Sequence, residues 1–389
     1  MKKRVFIYTP CKYPRGGANA NYVQYLSSAF AFAGYKTYVL AKINEEYSSK
    51  HINVESELLP LKTHGNKIIN HYVEETGYWN QIKRYLIQLE AGENDLFIIL
   101  GYNIYNTKSL IKFKKKHGLK IGIGILELFE EKDFEGRHPR KSFKQTNKIM
   151  TSLCPEFDIL FPISTYIEEY MKSAKVEQMV LPIMADIDEY KEVDTTKTFE
   201  KWKFIIPANG KMKDNLSTMV RCFSNLSENE LMKVEVHFCG VKKENIVDCL
   251  ENANYEKVKD IFIVHDWMEY EELVQLYAKV HFLLLARTTS QMTLANFPSK
   301  IPEVMSYGIV PIASEVGDYT KYYLEDNTNS IFIKGDSEEN CLRAVKRALE
   351  MTKNEYMELS ENAKQCVKNK FDYHVWVKPI QRAMKKIGL

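Results

Sequence analysis

Short apolar runs alternate with amphipathic stretches along almost the whole chain. Val5–Tyr8, Leu96–Leu100, Lys120–Ile125 and Asp158–Ile163 mark the first half, and Lys203–Pro207, Val234–Cys239, His281–Ala286 and Ile309–Ala313 the second. Strands buried on both faces read this way, because helices cover both sides of a parallel sheet. Between them, residues such as Tyr22, Leu26, Phe30 and Ala33 recur at helical spacing. A chain so patterned is confined to α/β architecture, with doubly wound parallel sheets. At 389 residues it is too long for one ordinary core. The expectation is two Rossmann-like domains, 1–190 and 202–371, joined by a polar linker and completed by a terminal helix within 372–389.

Composition removes several classes of function. A net charge of +3 gives no global signature of nucleic-acid binding. Seven scattered cysteines without a Cys-x-x-Cys pair argue against a disulfide framework or a zinc site. The basic start Met1-Lys2-Lys3-Arg4 leads into an apolar run that stops at Pro10, too short for a signal peptide. No stretch approaches the ~20 apolar residues of a transmembrane helix. The expected location is cytoplasmic.

Chemistry concentrates in Arg287–Ala313, a strand, a short helix and a strand. Ser299 is the expected N-cap, Pro302 suits the first turn, and Gly308 supplies the stop. Lys300 and Glu303 share one face of this helix, and Ile301, Val304 and Met305 share another. Free N–H groups and a lysine at a helix N-terminus attract phosphate, and a carboxylate one turn on could accept both hydroxyls of a ribose. An ordinary strand-helix-strand unit with a solvated Lys and Glu fits these residues as well.

Phe297-Pro298-Ser299-Lys300, then Glu303, Gly308 and Pro311-Ile312-Ala313-Ser314, resembles the C-terminal signature of GT-B glycosyltransferases of retaining family 4, in the subgroup with a Phe-Pro-Ser/Thr-Lys turn. The resemblance implies that Glu303 holds the donor ribose, with backbone amides around Phe297, Pro298 and Ser299 on the diphosphate. It also brings other residues into the donor set. The loop Pro14-Arg15-Gly16-Gly17-Ala18 resembles a family glycine loop, and Gly16 and Gly17 allow close backbone approach. Gly210, Lys211 and Lys213 stand where the family grips the diphosphate, with Lys211 in place of the usual Arg. Arg287, at the end of its strand, faces phosphate or Glu303, and Glu127 points a polar group into the cleft between the domains. Lys213, Lys300 and Glu127 are the catalytic candidates. One departure is Ala295, where the family often has a second Glu contacting the transferred sugar.

The resemblance implies a hexosyltransferase-type enzyme. It would move a sugar from a nucleotide diphosphate donor, a UDP-sugar favoured, to a hydroxyl acceptor with retention, in bacterial surface polysaccharide, glycolipid or glycoprotein synthesis. The absence of an Asp-x-Asp-like motif in a suitable loop implies no obligatory metal or other cofactor. Basic clusters at Lys112, Lys114, Lys115 and Lys116 and at Arg137, Arg140, Lys141 and Lys144 suggest peripheral contact with the inner face of a membrane, against the alternative of a solvated face. The rival reading is a catalytically silent GT-B subunit that binds sugar or supports a partner, for which Ala295 is the best support.

Overall fold

A computed structural model describes residues 3–14, 17–44, 56–134, 139–189, 193–207, 213–250, 252–265 and 268–389. The chain divides into two compact units. Met1–Met184 with Tyr373–Leu389 forms the first, and Ala185–Asp372 the second.

The first unit holds seven strands: β1 (Arg4–Tyr13), β2 (Lys36–Ile43), β3 (Ser56–Pro60), β4 (Asp95–Ile99), β5 (Lys120–Ile125), β6 (Ile159–Pro162) and β7 (Glu177–Gln178). They form one parallel sheet in the order β3-β2-β1-β4-β5-β6-β7. The order reverses between β1 and β4, and ligands of open α/β sheets bind beyond the strand ends at such a point. β1 runs past the expected Tyr8 to Tyr13, with a register irregularity between Tyr8 and Lys12 that accommodates Pro10. The last strand falls at Glu177–Gln178, and its bonding to β6 ends with the Leu181 N–H on the Pro162 carbonyl, since Pro182 has no N–H to continue it. Helix Ala18–Phe32 follows the glycine loop and buries Tyr22, Val23, Leu26 and Phe30.

The segment from Asn66 forms two helices, Lys67–Glu75 and Trp79–Gln88, separated by left-handed Gly77 and Tyr78. Asn66 caps the first through the amides of Ile68 and Ile69. Among the aromatic residues here, Tyr78 and Trp79 are buried, whereas Tyr72 is 55% exposed. Helix Val377–Lys386 buries Ile380, Ala383 and Met384 within the first unit, where Gln381 donates to the Ala33 carbonyl.

The second unit repeats the plan with β8 (Trp202–Pro207), β9 (Val234–Cys239), β10 (Phe262–His265), β11 (Phe282–Leu285), β12 (Val310–Ser314) and β13 (Ile331–Ile333). All pair in parallel, in the order β10-β9-β8-β11-β12-β13. One sheet face packs Phe204, Val236, Phe238, Phe282 and Val310 against Met219 and Phe223 of helix Leu216–Ser224 and Val345 of helix Glu338–Leu349. Helix Lys300–Ser306 is followed by Gly308 at φ +66, where a Cβ would lie 2.5 Å from Ser360 Oγ. Only glycine meets both the dihedral and the packing there. This sheet reverses between β8 and β11.

Candidate functional site

The reversal in the second unit brings two loops to one edge of the sheet. One follows β8 and leads through Lys213 and Asp214 to the N-cap Asn215; the other follows β11 and starts with Arg287. The Asn215 N–H donates to the Ala286 carbonyl at 2.8 Å, tying the first loop to the end of β11. Asp214 is therefore held beside Arg287. Its Oδ1 accepts from Arg287 Nε at 2.9 Å and its Oδ2 from Lys300 Nζ at 2.9 Å. Arg287 is fixed further by its N–H to Ser314 Oγ and by a guanidinium nitrogen to Asn296 Oδ1.

Asp214 gathers two cations at one point, and Glu303 also acts on Lys300. One carboxylate faces two cations, and the Asp214 and Arg287 side chains are 9% and 5% exposed, while Lys300 is 25% exposed. Burial acts to raise the Asp214 pKa, but Lys300 and Arg287 outweigh it and hold the carboxyl below its ordinary range. Burial likewise depresses the Lys300 pKa, with Asp214 opposing that. Cations gathered at one edge of a sheet favour an anion there. Lys213 lies in the same loop and is half-buried.

Glu303 lies one turn beyond Lys300 and is half-buried. It is near the hydroxyls of Tyr277 and Tyr307, which are pushed up mainly by burial and further by Glu303. The two tyrosine rings lie 5.4 Å apart, and Tyr270 Oη donates to Glu189 Oε1 at 3.4 Å nearby. The result is a carboxylate against an aromatic wall, beside a cationic cluster.

Several expectations need correction here. Ser299 is in the helical region and its side chain caps nothing, so the helix starts at Lys300 without the expected cap. Arg287 pairs with Asp214 and Asn296 rather than with Glu303. The Phe297 ring is buried among Tyr319, Tyr323 and Phe371, which limits its contribution to a ligand site to the backbone. Pro298 is buried too, its carbonyl accepting from Ile301 N–H. The short helix Gln291–Ala295, capped by Ser290, was not expected; Ala295 on it is fully buried. Gly16, Gly210, Lys211 and Arg137 lie outside the described residues.

Sequence reasoning passed over Asp214 as the organiser, since its partners lie 73 and 86 residues away. The one available signal was a carboxylate directly after Lys213 in a strand-end loop.

In the first unit, Gly17 has φ +120, and among the described residues nothing lies within 4 Å of where a Cβ would stand. Glu127 is half-buried beyond β5. It adds to the upward shift of the Tyr102 hydroxyl, whose chief cause is burial. His265, at the end of β10, is engaged with His237 at 2.9 Å, and His237 with Glu235 at 2.8 Å, which gives it a place in the structure of the sheet. Among the described residues no group of three His, Cys, Asp or Glu is placed to hold a metal ion, and no helix is long and apolar enough to cross a membrane.

Residues 188–366 match the model of the family described as glycosyl transferases group 1, a span lying within the second unit and nearly filling it. The likeness to that family is thus carried by the second unit. The chain as a whole has the fold of GT-B glycosyltransferases. A sucrose-phosphate synthase from Thermosynechococcus elongatus superposes with a TM-score of 0.74 at 12% identity, covering 100% of this chain and 99% of that one. A glycosyltransferase from Rickettsia africae gives 0.69 at 11% identity over 99% and 98% of the two chains. Anabaena HepE, in complex with UDP-glucose, gives 0.66 at 12% identity over 99% and 100%. No curated protein sequence matches. In the second unit, the Asp214 cluster and Glu303 occupy the strand edge where this fold class takes ligands.

Proposed function

We propose that this protein transfers a sugar from a nucleotide diphosphate donor, a UDP-sugar for preference, to a hydroxyl acceptor with retention of configuration. The observation that carries the reading is the pair of cations, Arg287 and Lys300, gathered on Asp214 at the β8–β11 reversal, with Glu303 one turn beyond Lys300. The likeness of the second unit to the group 1 family and the UDP-glucose complex of a protein of similar fold support it.

The diphosphate gains charge as the glycosidic bond breaks, and preorganised cations stabilise that charge without reorganising. In this reading Lys300 and Lys213 hold the diphosphate, Asp214 and Arg287 orient Lys300, and Glu303 accepts the ribose hydroxyls. The chain's own cations neutralise the leaving group, so turnover survives chelation of divalent ions. Gly16, Gly17, Gly210 and Lys211 belong to the donor site by the same proposal, and Glu127 to the reacting sugar. The acceptor is a hydroxyl of a polysaccharide, glycolipid or glycoprotein, met in the cytoplasm or at the inner membrane face.

The test is thermal stabilisation by UDP, GDP, ADP and their sugars, since a ligand of the folded state alone raises the melting temperature. One nucleotide is expected to shift it clearly. Lys300→Ala and Glu303→Ala should each weaken that nucleotide tenfold or more, equivalent to about 1.4 kcal/mol, with the unliganded protein still folded. Unchanged affinity in both variants would remove the site assignment, and no shift with any nucleotide would favour the silent subunit.

A further inference from the structure

A second cationic site lies wholly within the first unit, and it stands independently of the transferase reading. Helix Pro139–Lys148 carries Arg140, Lys141, Lys144 and Lys148, contains no acidic residue and buries no side chain. Lys141, Lys144 and Lys148 follow one another at three- and four-residue steps, so they share a face, a spacing that is unfavourable for like charges. Together with Arg140, Gln145 and Ile104, they line an open pocket of about 600 Å³. Ile104 begins the neighbouring helix Ile104–His117 and supplies an apolar surface next to the cations.

The neighbouring basic run is different. Lys114 pairs with Asp158 at 2.9 Å and Lys115 with Glu156 at 3.0 Å, so part of its charge is already answered. On the pocket helix, Arg140 is paired with Glu131, whereas Lys141, Lys144 and Lys148 make no ion pair among the described residues. Three lysine side chains line a cavity of the size that takes a small organic ligand, with no carboxylate among the residues lining it. Each is a flexible point charge suited to phosphate oxygens.

We propose that this pocket is a binding site for a phosphate-bearing ligand, a di- or oligophosphate group with Arg140, Lys141, Lys144 and Lys148 around it and a less polar part against Ile104. The phosphate comes from a soluble metabolite or from a lipid headgroup.

The experiment is titration calorimetry of the full chain with inorganic tripolyphosphate, in the presence of saturating UDP so that the second unit's site is filled. It is repeated for Lys141→Gln/Lys144→Gln/Lys148→Gln and for the charge-retaining Lys141→Arg/Lys144→Arg/Lys148→Arg. Wild type and the arginine variant should bind, more weakly as salt screens the charges, and the glutamine variant at least tenfold more weakly. A melting curve of each protein, measured beforehand, reports that the variants are folded. Sedimentation with vesicles of pure phosphatidylcholine or with 30% phosphatidylglycerol, an arbitrary but ordinary anionic content of roughly that size, separates the sources. Anionic vesicles that bind wild type, release it to tripolyphosphate and ignore the glutamine variant indicate a headgroup; tripolyphosphate binding without vesicle binding indicates a soluble ligand. Equal tripolyphosphate affinity in wild type and glutamine variant, or no binding by wild type, would overturn the site. A protein that fails with UDP but passes these tests loses the transferase reading and keeps this one.

Discussion

Asp214 is a single carboxylate divided between two cations, and its removal should be felt first in stability. In Asp214→Asn, Arg287 and Lys300 stay in the same half-dry edge of the sheet without their counter-charge. Breaking such a pair by deleting one partner costs about 3 kcal/mol, so the variant should unfold at markedly lower urea. Its pH dependence should also change. The folded carboxyl titrates below its ordinary value, so between the folded and unfolded pKa the unfolded chain binds the extra proton. This contribution is complete above about pH 4 and disappears as pH falls through the folded pKa. Urea denaturation of wild type and Asp214→Asn from pH 7 down to 3 should show the two stabilities converging at the acid end. Parallel curves would mean that Asp214 carries no linkage.

Elements explain what single residues do not. On β8, β9 and β10, the polar side chains Lys203, Glu235, His237 and His265 fall on the sheet face opposite the core residues Phe204, Val236 and Phe238. The ionised Glu235 accepts from His237 Nε2–H, which leaves Nδ1 bare to accept from His265 Nε2–H. Both imidazoles are held below their ordinary pKa, chiefly by burial, while Glu235 opposes and Lys203 reinforces the effect at His237. Depressed histidines leave the unfolded chain as the better proton acceptor, so stability should fall as pH drops below about 6.5. His265→Gln keeps one donor for His237 but does not titrate. It should flatten the slope of unfolding free energy between pH 7 and 5, and an unchanged slope would exclude this pair as its source.

Helix Gln291–Ala295 makes a related point about the departure at Ala295. A methyl group there has no exposed surface, so a glutamate side chain has to displace packed neighbours. Ala295→Glu should lose about 3 kcal/mol of stability and gain no turnover with a nucleotide sugar, checked by a melting curve and a donor-hydrolysis assay. Periodicity made the parallel strands legible, since each is an apolar run of the right length. It missed this five-residue helix, too short for a 3.6-residue repeat to register, and the empty cap at Ser299, which depends on a dihedral rather than on residue type. The cations of the site were legible as strand-end residues; the carboxylate that arranges them was not, because pairing across 86 residues follows from strand order.

At the scale of the molecule, the chain leaves the first unit after Met184 and returns to it at Tyr373. The two units therefore share no single stretch of sequence, yet each has its own sheet and core. Helix Val377–Lys386 belongs to the first unit although only a short turn separates it from the end of the second, and its anchor Ile380 is fully buried. Ile380→Ala should thus act on one unit. Truncating a buried Ile costs about 3 kcal/mol, which in a unit of this size lowers the melting point by roughly 6–12 °C. Scanning calorimetry with and without the nucleotide that binds best distinguishes the two transitions, because most of the proposed donor contacts, Lys213, Lys300 and Glu303 among them, lie in the second unit, whose melting temperature the nucleotide raises more. The variant should lower the less nucleotide-sensitive transition and spare the other. A fall in the more nucleotide-sensitive transition alone would place the terminal helix energetically with the second unit and overturn the division of the chain drawn from its packing.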